Sequence, residues 1–157
     1  MSSLRLPYWN LAPKQFQALR DLSASIDASS LGHQLLELVF LRASQINGCA
    51  FCIDMHTRAL LAQGEDLQRI NSVLVWPETT FFSAREQAAL AWTEALTEIA
   101  ASRAPDPVFD ALRPHFSDAE IAELSFAIVA INSWNRLAIG FRRPVQKAPL
   151  QSGGEVR

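Results

Sequence analysis

A chain of 157 residues, 49% hydrophobic and 19% charged, is one domain's worth of globular protein with a slight apolar excess. The net charge of -2 gives no electrostatic case for nucleic acid or an anionic membrane, so neither is expected as a partner. The apolar excess is what an oligomer interface would add.

Residues 1–12 read as an arm, with Leu6, Pro7, Tyr8 and Trp9 able to pack onto a neighbouring surface. From Met1 to Lys14 there is no apolar run of signal-peptide length, which makes the cytoplasm the expected compartment. Pro13 suits a first helical turn, and Phe16, Leu19 and Leu22 give that helix an apolar side. The polar run Asp27-Ala28-Ser29-Ser30 breaks it and offers caps for the next. A second helix is predicted from about Leu31 to Ile46. It is apolar nearly all round at its centre, which marks it as central to the fold.

Asn47 and Gly48 interrupt, and a third helix is predicted from near Cys49 to about Gln63, with Gly64 as its stop. A shorter helix from Asp66 to Val75 ends before Trp76-Pro77. Ser83 with Glu86, and Ser117 with Glu120, are capping boxes opening two further helices, the last ending near Gly140. Asp106-Pro107 starts a short helix between them. Ser72 to Trp76 is the nearest approach to strand alternation, and it is short. The expected fold is all-α, a compact bundle of six or seven helices in a single domain over residues 1–157. A polar, Gly-rich tail, 144–157, is expected to be loose or draped on a neighbour.

Both cysteines lie in Gly48-Cys49-Ala50-Phe51-Cys52-Ile53-Asp54-Met55-His56. At about 100° per residue, Cys49, Cys52 and His56 share a helical stripe roughly 60° wide. A turn of about two residues folds the second and third helices back on each other. At about 1.5 Å per residue, Glu37 then lies about 13 Å from the turn and His56 about 10 Å, with Cys52 one turn nearer the tip. The inferred order from the tip inward is Cys49, Cys52, His56, Glu37. Glu37 stands among Leu36, Leu38 and Leu41, where an unpaired carboxylate would be costly.

Each residue type has a task in such an array. A thiolate, not a thiol, attacks a peroxide or a disulfide, and a helix N-terminus favours the anion at Cys49. His56 is placed to take the proton of Cys52, and Glu37 to orient the imidazole. A sulfenic acid on Cys52 would condense with Cys49, and an external dithiol would reset the pair. The residue types also allow two other readings: two small core cysteines, or a zinc site with Cys49, Cys52, His56 and Glu37 as ligands. Against zinc, structural sites usually draw on two separated ligand pairs, and only one cysteine pair exists here. His33 reads as a boundary residue, His115 as loop, and Phe51 and Trp76 as core. Asn132, Asn135 and Arg136 place polar groups inside an apolar helix, where packing or subunit contacts are expected.

At these residues the chain resembles the alkylhydroperoxidase AhpD-like family of the carboxymuconolactone decarboxylase superfamily. The family pattern is Glu, eleven residues, Cys-x-x-Cys, three residues, His, and Glu37, Cys49, Cys52 and His56 are in register with it. The segments from Ala84 to Thr97 and from Asn132 to Leu137 are similar too, so the likeness runs from Leu35 to Phe141. It implies an all-helical homo-oligomer (dimer, trimer or hexamer) with thiol-dependent peroxidase activity towards organic hydroperoxides. It further implies Cys52 as the peroxidatic and Cys49 as the resolving cysteine, with Glu37 and His56 as proton relay. No bound cofactor or metal is expected, only a thiol reductant such as a dihydrolipoyl or thioredoxin-like protein. One departure is Phe51, where studied members carry a second histidine. The decarboxylases of the superfamily work without the cysteine pair, so its presence argues against that activity. A non-peroxidatic disulfide oxidoreductase or redox sensor is the alternative, and a zinc-binding helical module the third.

Overall fold

The computed structural model describes residues 3–149. Among these, every regular element is helical. The order is α1 (Tyr8–Leu11), α2 (Pro13–Asp27), α3 (His33–Asn47), α4 (Ala50–Ala62), α5 (Leu67–Ser72), a 3-10 stretch (Val73–Glu78), α6 (Ala84–Thr97), α7 (Ile99–Ser102), α8 (Asp106–Asp110) and α9 (Asp118–Gly140). The seven helices expected from sequence are all present. The two additions, α1 and α7, are single turns of four residues, too short for a periodic pattern to announce them.

α3 is central because it is apolar on more than one side. Leu36 and Val39 face a core shared with Trp92 of α6 and Leu124 and Ile128 of α9. Leu38 and Leu41 face a second core with Leu60 of α4, Ile70, Val73 and Leu90. Each leucine buried this completely contributes about 1.5–3 kcal/mol from area removed from water. α3 therefore packs against α4, α6 and α9 at once.

Two boundaries differ from expectation. α3 begins at His33 rather than Leu31, because Gly32 stands at its N-cap with φ +85° and no side chain caps the first turn. Its backbone conformation is one that Gly adopts without cost, so the serines before it are not needed as caps. The chain after α5 does not stop before Trp76-Pro77 either. It tightens into 3-10 turns that run through Pro77, with a non-helical break at Val75. Both capping boxes form as expected, at Ser83/Glu86 and Ser117/Glu120.

The amino-terminal arm packs onto the end of α9 in the same chain. The backbone N–H of Arg5 donates to the Phe141 carbonyl at 2.8 Å, and the Tyr8 ring stacks on Phe141 at 4.9 Å. At the other end, the Arg58 guanidinium donates to the carbonyls of Ala148 and Pro149. The rest of the expected loose tail, 150–157, lies outside the described residues. Among the described residues no helix is long and apolar enough to cross a membrane.

Candidate active site

The site is built by the α3–α4 hairpin. α3 ends on Gly48 in the left-handed conformation (φ 70°), whose N–H and that of Cys49 return to the carbonyls of Gln45 and Ser44. This closure satisfies two of the carbonyls that a helix end leaves open, and glycine tolerates the φ it requires. Cys49 then stands as the N-cap of α4, its sulfur accepting from the Cys52 N–H at 3.3 Å. Cys49 and Cys52 are joined as a disulfide with Cα atoms 5.3 Å apart.

Deeper in the hairpin, His56 Nδ1 lies 2.7 Å from Glu37 Oε2. Both side chains are largely buried, at 7% and 18% exposure, so the pair is sheltered from the screening that weakens a surface ion pair. With Nδ1–H donating to the carboxylate, the tautomer is fixed and Nε2 is left as the basic nitrogen. Nε2 is itself buried and has no partner among the described residues. The Phe40 ring packs 5.2 Å from the imidazole and holds its orientation. The expected order along the hairpin, from Cys49 at the tip to the His56–Glu37 pair, is the order found.

Cys52, His56 and Glu37 open on one cavity of about 350 Å3 between α2, α3, α4 and α9. Cys49 is behind Cys52, does not line the cavity, and is as deeply buried as Cys52, at 1% and 2% exposure. Phe51, read from sequence as core, is half-buried and forms part of the wall, with the Arg143 guanidinium 3.9 Å from its ring centre. Tyr8, Asp27 and Arg143 also line the cavity; the sequence marked Tyr8 only as a packing residue of the arm and Asp27 only as part of a helix break, and none of the three as a site residue. Partial burial pushes the Asp27 carboxyl above the ordinary aspartate value. His33 opposes that shift, Glu37 adds to it, and His56 opposes it.

The remaining sequence candidates lie elsewhere. His33 is exposed at the start of α3, and His115 serves through its carbonyl, which accepts from Arg85. Asn132 and Asn135 are structural: the Asn47 amide donates to the side-chain oxygens of both, and Asn135 donates to Ser44 at 3.0 Å. Arg136 donates back to the Asn132 carbonyl. This network ties the end of α3, just before the cysteine turn, to α9.

An all-helical core carrying a Cys-x-x-Cys hairpin backed by a Glu–His pair defines an AhpD-like protein. The profile of the carboxymuconolactone decarboxylase family matches residues 11–95, and the chain belongs to that family. The uncharacterized protein YdfG of Bacillus subtilis is 39% identical over 137 residues, covering 87% of this chain and 93% of that one. A crystal structure from Agrobacterium tumefaciens, of a protein of unknown function named as a candidate antioxidant defence protein AhpD, superposes with a TM-score of 0.88. It is 44% identical, over 92% of this chain and 100% of the other. An uncharacterized peroxidase-related protein from Ralstonia eutropha JMP134, with an alkylhydroperoxidase AhpD core, shares the fold at a TM-score of 0.77. Identity there is 19%, over 88% of this chain and 74% of that one.

Proposed function

We propose that the protein is a thiol-dependent peroxidase of antioxidant defence, reducing organic hydroperoxides through a Cys49/Cys52 disulfide cycle. The observation that carries this reading is the shared cavity: Cys52 lines the same space as His56, whose Nδ1 is bonded to Glu37 and whose Nε2 has no partner among the described residues. The cycle runs from the reduced pair. His56 takes the Cys52 proton, and the thiolate attacks the terminal peroxide oxygen. The O–O bond breaks, the leaving alkoxide takes the proton back from His56, and Cys52 becomes a sulfenic acid. The Cys49 sulfur, one helical turn away, then attacks the Cys52 sulfur. Water leaves and the disulfide forms.

An external dithiol returns the two electrons by thiol–disulfide exchange. A dihydrolipoyl or thioredoxin-like protein has the required chemistry, and the cavity opening on Cys52 favours that sulfur as the point of entry. A cytoplasmic homo-oligomer is part of the same proposal. Stopped-flow mixing of the reduced protein with cumene hydroperoxide tests it. Cys52→Ser should consume no peroxide, and Cys49→Ser should stall after one equivalent. Rapid exchange with dithiol proteins but no peroxide consumption would instead make the chain a disulfide oxidoreductase.

A further inference from the structure

The cavity has two chemically different ends. α2 and α4 both contribute to its wall, and both order the end-to-end polarity in the same sense. Along α4 the sequence is Phe51 beneath the Arg143 guanidinium, then Cys52, then His56 on Glu37. Along α2, Phe16 packs edge-on against Tyr8, and Asp27 follows eleven residues on, roughly 16 Å away along the helix axis. One end therefore presents a phenol and the Arg143 guanidinium, with the exposed Arg20 of α2 one turn beyond Phe16, and the other presents two carboxylates and an imidazole.

The cationic end holds polar groups that the described residues do not pair. Tyr8 is 6% exposed, yet its hydroxyl has no hydrogen-bond partner among the described residues. Leaving a buried hydroxyl unpaired is costly, and because Tyr8 also lines the cavity, its hydroxyl is a donor there in need of an acceptor. Arg143 is half-buried and has no carboxylate within ion-pair distance among the described residues. Its backbone N–H is fixed to the Ala138 carbonyl at 2.8 Å, and its guanidinium lies over the face of Phe51, with Trp9 5.9 Å away. Phe51, Trp134 and Ala138 contribute apolar surface to the same wall.

We propose that Tyr8 and Arg143 form a carboxylate-binding subsite, so that the cavity takes a small apolar molecule with an anionic head. The phenol donates one hydrogen bond and the guanidinium supplies the charge-assisted partner. Asp27 and Glu37 repel the head from the opposite end and fix the orientation. Resting on the peroxidase reading, the preferred substrate is then an organic hydroperoxide whose carboxylate lies on the order of 10 Å from the peroxide, since Phe51 adjoins Cys52 along the chain. A cavity of about 350 Å3 limits the body between them to a compact one.

Calorimetric titration with 4-isopropylbenzoate, an unreactive carboxylate, tests the subsite without any turnover. Saturable binding is expected, and a charge-assisted hydrogen bond makes it about tenfold or more tighter than that of 4-isopropylbenzamide. Tyr8→Phe, which keeps the ring packing, and Arg143→Gln should each remove most of that preference. No binding, equal binding of the amide, or an unchanged preference in both variants overturns the proposal. In turnover, kcat/KM for the para-carboxylate of cumene hydroperoxide should exceed that for cumene hydroperoxide, and Tyr8→Phe should bring their ratio towards one. Carboxylate binding with neither peroxide consumed upholds the subsite and overturns the peroxidase reading alone.

Discussion

In the proposed cycle, proton transfer rests on one contact, the 2.7 Å bond between His56 Nδ1 and Glu37. It leaves Nε2 as the basic nitrogen, buried and without a partner among the described residues, and in that cycle it would stabilise the imidazolium formed when the thiol is deprotonated. Glu37→Gln keeps the shape and offers a neutral partner, so the fold should persist while the charge support is lost. The second-order rate with cumene hydroperoxide should fall about ten- to hundredfold, the usual penalty for losing a group that orients a functional histidine. An unchanged stopped-flow rate would remove Glu37 from the chemistry. Glu37 was legible in the sequence because a lone carboxylate among leucines needs a partner, and helical spacing named His56 as that partner. Tyr8 and Arg143 were not, because their meeting at the cavity depends on the arm being tied to Phe141 and on the Ala138 anchor. Contacts between positions so far apart along the chain leave no local pattern to read.

Among the elements, α9 shows how far a short signature carries. The Ser117/Glu120 capping box places the Glu120 carboxylate on the Ser117 N–H, with the Arg85 guanidinium at 2.9 Å. The backbone N–H of Ser117 and then Arg85 hold the Glu120 carboxyl down at about 2. Because the folded state depresses this pKa, its stabilisation is present above the ordinary glutamate range and is lost as the pH falls towards 2. Glu120→Gln should therefore melt below the wild type at pH 7, and the two melting curves should converge near pH 2. Circular dichroism melts across that range would show it, and a constant gap would refute it. The box was legible because its donors and acceptors sit within four residues. The 3-10 continuation after α5 was not, since Trp76-Pro77 locally signals a stop. The Trp76 indole donates instead to Glu94 on α6, at 2.8 Å. Packing overrode the local signal there.

For the whole molecule, the question is whether the fold depends on the bond that the proposed cycle must break. The disulfide spans only three positions, and a loop that short removes little freedom from the unfolded chain. The chain-entropy relation gives about 2 kcal/mol for it. The cores that hold α3 against α6 and α9, and α3 against α4 and α5, do not include either sulfur. The Asn47–Asn132–Asn135 network meanwhile anchors the cysteine turn to α9 with bonds that reduction does not touch. This independence explains why the all-helical class was readable from apolar periodicity alone, although the cysteines drew attention to the site. Full reduction with dithiothreitol should leave a single cooperative unfolding transition, with a Tm lowered by about 4–8 °C for a chain of this size. Loss of cooperativity on reduction would mean that the disulfide is a structural staple, and a catalytic cycle through it would then require unfolding the hairpin at every turnover.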